Sequence, residues 1–344
     1  MTHRVKSRIP MLRFLGLFLI AMATASTGFS ATGRVGILVD GRYDYQTVEL
    51  PPSSSPDTLS NDWIKFKSVP HDLKPDQNDC YCFKENDPRF SFVEAYYQGT
   101  KELQFFDEEL KGLGLAPLKK LVVSLTPVEN GMAPGGLTLG GVVSFTLTPQ
   151  GPMDETLFAH ELGHFLHFSF VGEYVLYSTI QEKSALIGVR EGMANIFSAL
   201  FTGESRLGMI AYGDGLRDVD RFFHYPDRLF TLRDDDERVR NSSFLREAYP
   251  VFYKQAVATP VPTQYENLSE GYGSSSLFTQ PLWLASQTFG REEIVKLLIM
   301  AIRKNALEHS YKRVALDLLN ASKVIKNQLL TSFLTQQFHD RGLY

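Results

Sequence analysis

Two histidines four residues apart enclose a glutamate in the run His160-Glu161-Leu162-Gly163-His164. On a helix, residues with this spacing share one face, so both imidazoles can converge on a single metal ion. Glu161 then stands where a carboxylate could take a proton from a water polarised by that metal. The surrounding pattern predicts the helix. Pro152 and Asp154 are N-terminal signals, and Leu157, Phe158, Leu162, Phe165 and Leu166 recur at helical spacing. No proline falls between Asp154 and Phe170. Without chemistry the segment would be an amphipathic helix carrying two surface histidines. The scarcity of histidine, eight in 344 residues, favours the metal.

A hydrolytic zinc centre uses three protein ligands and keeps a fourth position open, so a third side chain is needed. The candidate is Glu191, in Val189-Arg190-Glu191-Gly192-Met193-Ala194-Asn195-Ile196-Phe197. This stretch is predicted helical over 184–202, with Gly203 as its C-terminal stop. Ile187, Ala194, Ile196, Phe197 and Leu200 supply an apolar side for packing against the first helix. Glu191 and Asn195 lie one turn apart on a common face. With Glu191 on the metal, the Asn195 side-chain oxygen could accept from the far nitrogen of His160 and set its tautomer. The alternative is a solvated glutamate, against which the apolar setting of Glu191 weighs. His167 competes as third ligand because it continues the stripe of His160 and His164. A histidine that close needs a glycine break to turn the chain back, and the first following glycine is Gly172. His167 is therefore expected to border the site or to pack.

His160-Glu161-Leu162-Gly163-His164 followed by Glu191-Gly192-Met193-Ala194-Asn195 resembles the gluzincin metallopeptidases, the thermolysin-like and M1-type aminopeptidase-like enzymes. The resemblance covers roughly residues 131–290, and only the metal motif within it is highly specific. It implies one zinc ion held by His160, His164 and Glu191, with Glu161 as general base. The interval from His164 to Glu191 exceeds the family's usual one, implying an inserted loop over 172–183. Thermolysin-like members carry an aspartate where Asn195 stands, and an amide polarises His160 less than a carboxylate does.

Upstream, Gly131-Met132-Ala133-Pro134-Gly135-Gly136-Leu137-Thr138 stands where M1-type enzymes place a substrate-lining loop and strand. The glutamate that grips a free peptide amine in those enzymes is replaced here by Ala133 and Pro134, which argues against an aminopeptidase of the usual kind. Residues 140–148 alternate as a strand, either in a plain hairpin or as an exposed edge that could pair with an extended peptide. An oxyanion donor is also needed. Tyr272, in Gly271-Tyr272-Gly273 before a helical stretch ending at Gly290, resembles the family's tyrosine, although its gap to that glycine differs. His224 and Tyr225 are further candidates, and a merely packed or surface tyrosine is the alternative for this position.

Residues 1–25 form a predicted signal peptide: Arg4, Lys6, Arg8 and Arg13 precede an apolar run from Phe14 to Ala23, and Ala23-Thr24-Ala25 has cleavage-site form. Met11 is an alternative start, and a buried N-terminal helix is the other reading. The apolar run is too short to span a bilayer, and no later segment is apolar and long enough to do so. Without the leader, about 31 basic side chains face 39 acidic ones, a formal charge near −8, which disfavours nucleic acid as a partner. Cys80 and Cys82 are separated by one residue and so are poorly placed to bridge, with a strained disulfide left open. As a lone pair they lack the further ligands of a structural zinc site.

The expected fold is α+β, an N-terminal mixed β-sheet region over 26–150 packed on a mainly helical zincin-type catalytic region over 151–344. Strands are predicted at 35–39, 121–125 and 142–147, and helices at 94–110, 292–305 and 313–338, with 213–273 largely non-helical. Together these features predict an exported (secreted or periplasmic) single-zinc endopeptidase acting on peptide or protein, without stable membrane insertion once the leader is cleaved. The rivals are a non-catalytic zinc-binding exported protein and a zinc amidase acting on cell-wall peptide or another non-protein amide.

Overall fold

The computed structural model describes residues 28–39, 42–126, 135–139, 142–146, 154–171, 184–208, 217–222, 237, 240–248, 250–258, 274–304 and 310–344. The expected leader, the expected inserted loop over 172–183, His224, Tyr225 and Tyr272 lie outside the described residues.

The fold is α+β. Strand β1 (Thr32–Val39) pairs antiparallel with β2 (Arg42–Glu49), in register from Thr32 opposite Glu49 to Val39 opposite Arg42. On its other side β1 takes β4 (Cys80–Tyr81) in parallel, giving the order β2-β1-β4. A second sheet runs β3-β5-β7-β6. Its strands β3 (Ile64–Phe66), β5 (Leu121–Thr126) and β7 (Val142–Thr146) are parallel, and β6 (Gly135–Leu139) is antiparallel at the edge. β5 buries Leu121, Val123 and Leu125 while Val122 and Ser124 are less covered, the alternation of a strand whose two faces differ in burial. The strand pattern over 140–148 thus belongs to β7, an inner strand of a hairpin, and the sheet edge is the glycine-rich β6 beside it.

Helix α1 (Pro88–Gly112) begins six residues before the expected 94, where Asp87 caps it by accepting from the Arg89 amide at 2.9 Å and Pro88 opens the first turn. It buries Phe90, Val93, Tyr96, Leu103, Phe106 and Leu110 among the sheet strands and α2 (Glu155–Val171). The C-terminal half follows as α3 (Ser184–Thr202), a two-residue ribbon of β8 (Arg206–Leu207) and β9 (Arg217–Asp218), α4 (Ser243–Ala248) and α5 (Pro250–Ala258). Last come α6 (Ser276–Phe289), α7 (Arg291–Lys304), α8 (Tyr311–Ile325) and α9 (Gln328–His339). Two expectations are corrected. The stretch 213–273 contains α4 and α5, and 313–338 is two helices, broken where Lys326 takes the left-handed conformation (φ 62°) and Asn327 caps α9 through the Leu330 amide at 3.0 Å. Cys80 and Cys82 are joined in a disulfide with their Cα atoms 5.2 Å apart, inside the range such bridges require.

Two buried carboxyls lie where α1 meets the start of α2. Glu102 is fully buried, and neither of its oxygens has a hydrogen-bond partner among the described residues. Burial, aided by the nearby Glu155 charge, pushes its pKa well above the usual carboxylate value. Glu155 is pushed up to about 7, chiefly by burial; the Leu38 amide and Lys101 pull the other way, while Asp154 and Glu204 add to the rise. The folded chain therefore holds these protons to higher pH than the unfolded chain, whose glutamates titrate near about 4.3. The contribution of Glu155 to stability is fully present below that value and is lost as pH rises through about 7, and that of Glu102 is lost in the same direction. Glu102→Met is expected to raise unfolding free energy by about 1–3 kcal/mol, more at pH 8 than at pH 5, in urea melts at the two pH values. A loss of stability in that variant would show that Glu102 has a partner it needs.

Candidate metal centre

The site is built by α2 and α3 lying side by side in opposite directions. Asp154 caps α2, its side chain accepting from the amides of Thr156 at 3.1 Å and Leu157 at 3.3 Å and from the Thr156 hydroxyl at 2.7 Å. Gly203, at φ 81°, follows the end of α3 and its amide donates to the Ala199 carbonyl at 2.9 Å. Near the start of α2, the Ser198 hydroxyl donates to the Thr156 carbonyl at 2.7 Å. One turn on, His160 meets Asn195, and one turn further His164 meets Glu191. Two pairs with four-residue spacing, one on each helix, thus face each other across the seam.

What lets the backbones approach is Gly163, inside the histidine motif. A Cβ built there would stand 2.8 Å from both Cα and O of Ala194, closer than real side chains come to backbone. Gly192 does the same toward α6: a Cβ there would meet the Phe278 ring and sit 3.2 Å from Cβ of Ser275. Neither glycine was assigned a role from the sequence. The available signal was a glycine in the middle of an otherwise strong helical pattern, a costly choice that requires a packing reason.

His160 Nε2 lies 3.3 Å from Glu191 Oε2, and His164 Nε2 lies 3.6 Å from Glu191 Oε1. Among the described residues these three side chains form the one group of histidine, cysteine or acidic residues able to hold a metal, with ligand atoms within 4.8 Å of one another. Atoms bound to zinc at about 2.0–2.1 Å with tetrahedral angles stand roughly 3.3–3.4 Å apart; here the two histidine nitrogens meet different oxygens of Glu191, an arrangement that could hold a metal. The three side chains are 11–16% exposed, so the centre is largely but not fully covered. Burial, helped by the charges of His160 and Arg190, holds His164 below the usual histidine pKa; Glu191 and Glu161 oppose it. His164 is thereby neutral, as a ligand must be.

His160 Nδ1 is 2.8 Å from Asn195 Oδ1, an acceptor, so Nδ1 donates there and Nε2, 3.3 Å from Glu191 Oε2, is the nitrogen available to a metal. The Asn195 amide nitrogen in turn donates to the Ser275 hydroxyl at 3.3 Å. Glu161 is 7% exposed on α2 and its charge is felt at His164. His167 stays out of the group of three: it is 3% exposed and stacks on Phe168, with ring planes 12° apart. The structure thus brings together His160, His164, Glu191 and Asn195, with Glu161 adjacent, while Tyr272 belongs to the residues not described. β6 packs against α2 from the sheet edge. No family model matches this chain, and no curated protein matches it.

Proposed function

We propose that this chain is an exported single-zinc metallohydrolase of gluzincin type that cuts peptide bonds within proteins or peptides. The observation that carries this reading is the convergence of His160 Nε2, His164 Nε2 and the Glu191 carboxylate as one group able to hold a metal. When bound, zinc supplies Lewis acidity, acidifying a water and drawing charge from the substrate carbonyl. Two neutral imidazoles and one carboxylate around a divalent ion leave the centre at a net positive charge, which favours a developing oxyanion. Glu161 takes the proton from the attacking water onto its carboxylate and returns it to the leaving nitrogen, so that the C–N bond breaks to a neutral amine. The outer side of β6, unpaired among the described residues, offers backbone donors and acceptors to an extended peptide beside α2. Tyr272 is the proposed oxyanion donor, and the leader over 1–25 the proposed export signal.

The test is metal analysis of the purified mature protein together with digestion of a peptide library. One zinc per chain is expected, with cleavage abolished by a chelator and restored by added zinc. Stoichiometric zinc without cleavage of any peptide or denatured protein would favour the non-catalytic alternative. Product release from cell-wall fragments alone would redirect the assignment to an amidase.

A further inference from the structure

An amide differs from a carboxylate in having two unlike ends. A carboxylate beside His160 could accept the Nδ1 proton through either oxygen, whereas Asn195 can do so only through Oδ1. Whatever fixes the plane and sense of the Asn195 amide therefore also bears on which imidazole nitrogen of His160 is free for a metal. Asn195 is 1% exposed, so water does not compete for the amide. Its nitrogen donates to Ser275 Oγ at 3.3 Å. Ser275 immediately precedes α6 with helical backbone angles (φ −55°, ψ −30°), and its side chain makes no capping bond. The hydroxyl reaches across to α3 instead, and Gly192 supplies the space that brings Ser275 there.

We propose that Ser275 is a positioning residue of the metal centre, holding the Asn195 amide with its oxygen toward His160. This inference rests on the zinc reading above. A serine hydroxyl accepts as readily as it donates, so binding of metal at His160 Nε2 sets the sense of the chain. Nδ1–H of His160 then donates to Asn195 Oδ1, and the Asn195 amide N–H donates to Ser275 Oγ. Without Ser275, the metal-bound form leaves that N–H without this acceptor at a place closed to water. An aspartate at position 195 has no N–H to satisfy, so Ser275 matters far less beside it.

The experiment is a double-mutant cycle on the full chain, with zinc affinity read by competition against a chromophoric chelator. Ser275→Ala is expected to weaken zinc binding about tenfold in the natural background, and by less than about twofold in an Asn195→Asp background. In the zinc-loaded protein, the His160 Nδ1–H resonance should exchange faster with solvent in Ser275→Ala than in the natural chain. Metal-free melting midpoints separate positioning from folding: a fall in zinc affinity matched by an equal loss of metal-free stability in both backgrounds would make Ser275 a structural residue and overturn the assignment. Equal losses in the two backgrounds, or no loss in the natural one, would overturn the assignment. A natural chain that binds no zinc would overturn the metal reading itself, an outcome visible before any variant is compared.

Discussion

Glu161→Gln is expected to keep one zinc per chain while lowering kcat by roughly 10²–10⁴-fold. Glutamine preserves the shape and burial of a side chain that is 7% exposed on α2, and position 161 is not one of the three converging side chains. In the proposed mechanism, what it removes is the capacity to hold a proton between attack by water and departure of the amine. Single-turnover rates on a cleaved library peptide, with zinc content measured on the same sample, separate the two effects. Retained turnover in a zinc-loaded variant would sink the assignment of Glu161 as base. Loss of zinc with loss of rate would make the residue structural for the centre.

The second large effect is expected at Gly163, where two accounts predict opposite signs. Helix propensity alone makes Gly163→Ala stabilising by about 1 kcal/mol. The close approach of α2 and α3 makes it destabilising, because the new Cβ would lie 2.8 Å from the Ala194 backbone and no flexible side chain is there to yield. Overpacking of this kind costs typically about 1–3 kcal/mol, enough to cancel or reverse the propensity gain. The helices must separate by a sizeable fraction of an ångström to restore ordinary contact. His160 and His164 come from one of them and Glu191 from the other, so zinc affinity should fall by at least about tenfold. Urea unfolding of the metal-free variant and chelator competition on the zinc-loaded one check both halves. A more stable variant with unchanged zinc affinity would show that the helix contact can relax without consequence.

Legibility of the fold followed locality. α2 and α3 were readable because caps, stops and apolar spacing all act within a few residues, and α3 spans the expected 184–202. β5 was readable as a short β-like run and β7 from alternation. β2 was missed because only Tyr43, Tyr45 and Val48 are even half-buried among exposed polar residues, a weak period-two signal. The edge strand β6, Gly-Gly-Leu-Thr-Leu, carries little strand propensity of its own and is ordered by pairing with β7. The break between α8 and α9 hid because a lysine, not a glycine, adopts the left-handed conformation there. Ser275 was given no role from the sequence, and only the packing of α6 against α3 brings its hydroxyl to Asn195.

The sequence by itself determined which side chains could bind a metal, since four-residue spacing on a helix puts two groups on one face whatever surrounds them. It also marked Glu191 and Asn195 as a matching pair on a second helix. Tertiary structure decided that the two pairs face each other in antiparallel helices, how near the backbones come, and which end of the Asn195 amide meets His160. These depend on contacts between residues far apart in the chain. Steric exclusion and hydrogen-bond direction act there over a few tenths of an ångström, and neither leaves a periodic trace in the order of amino acids.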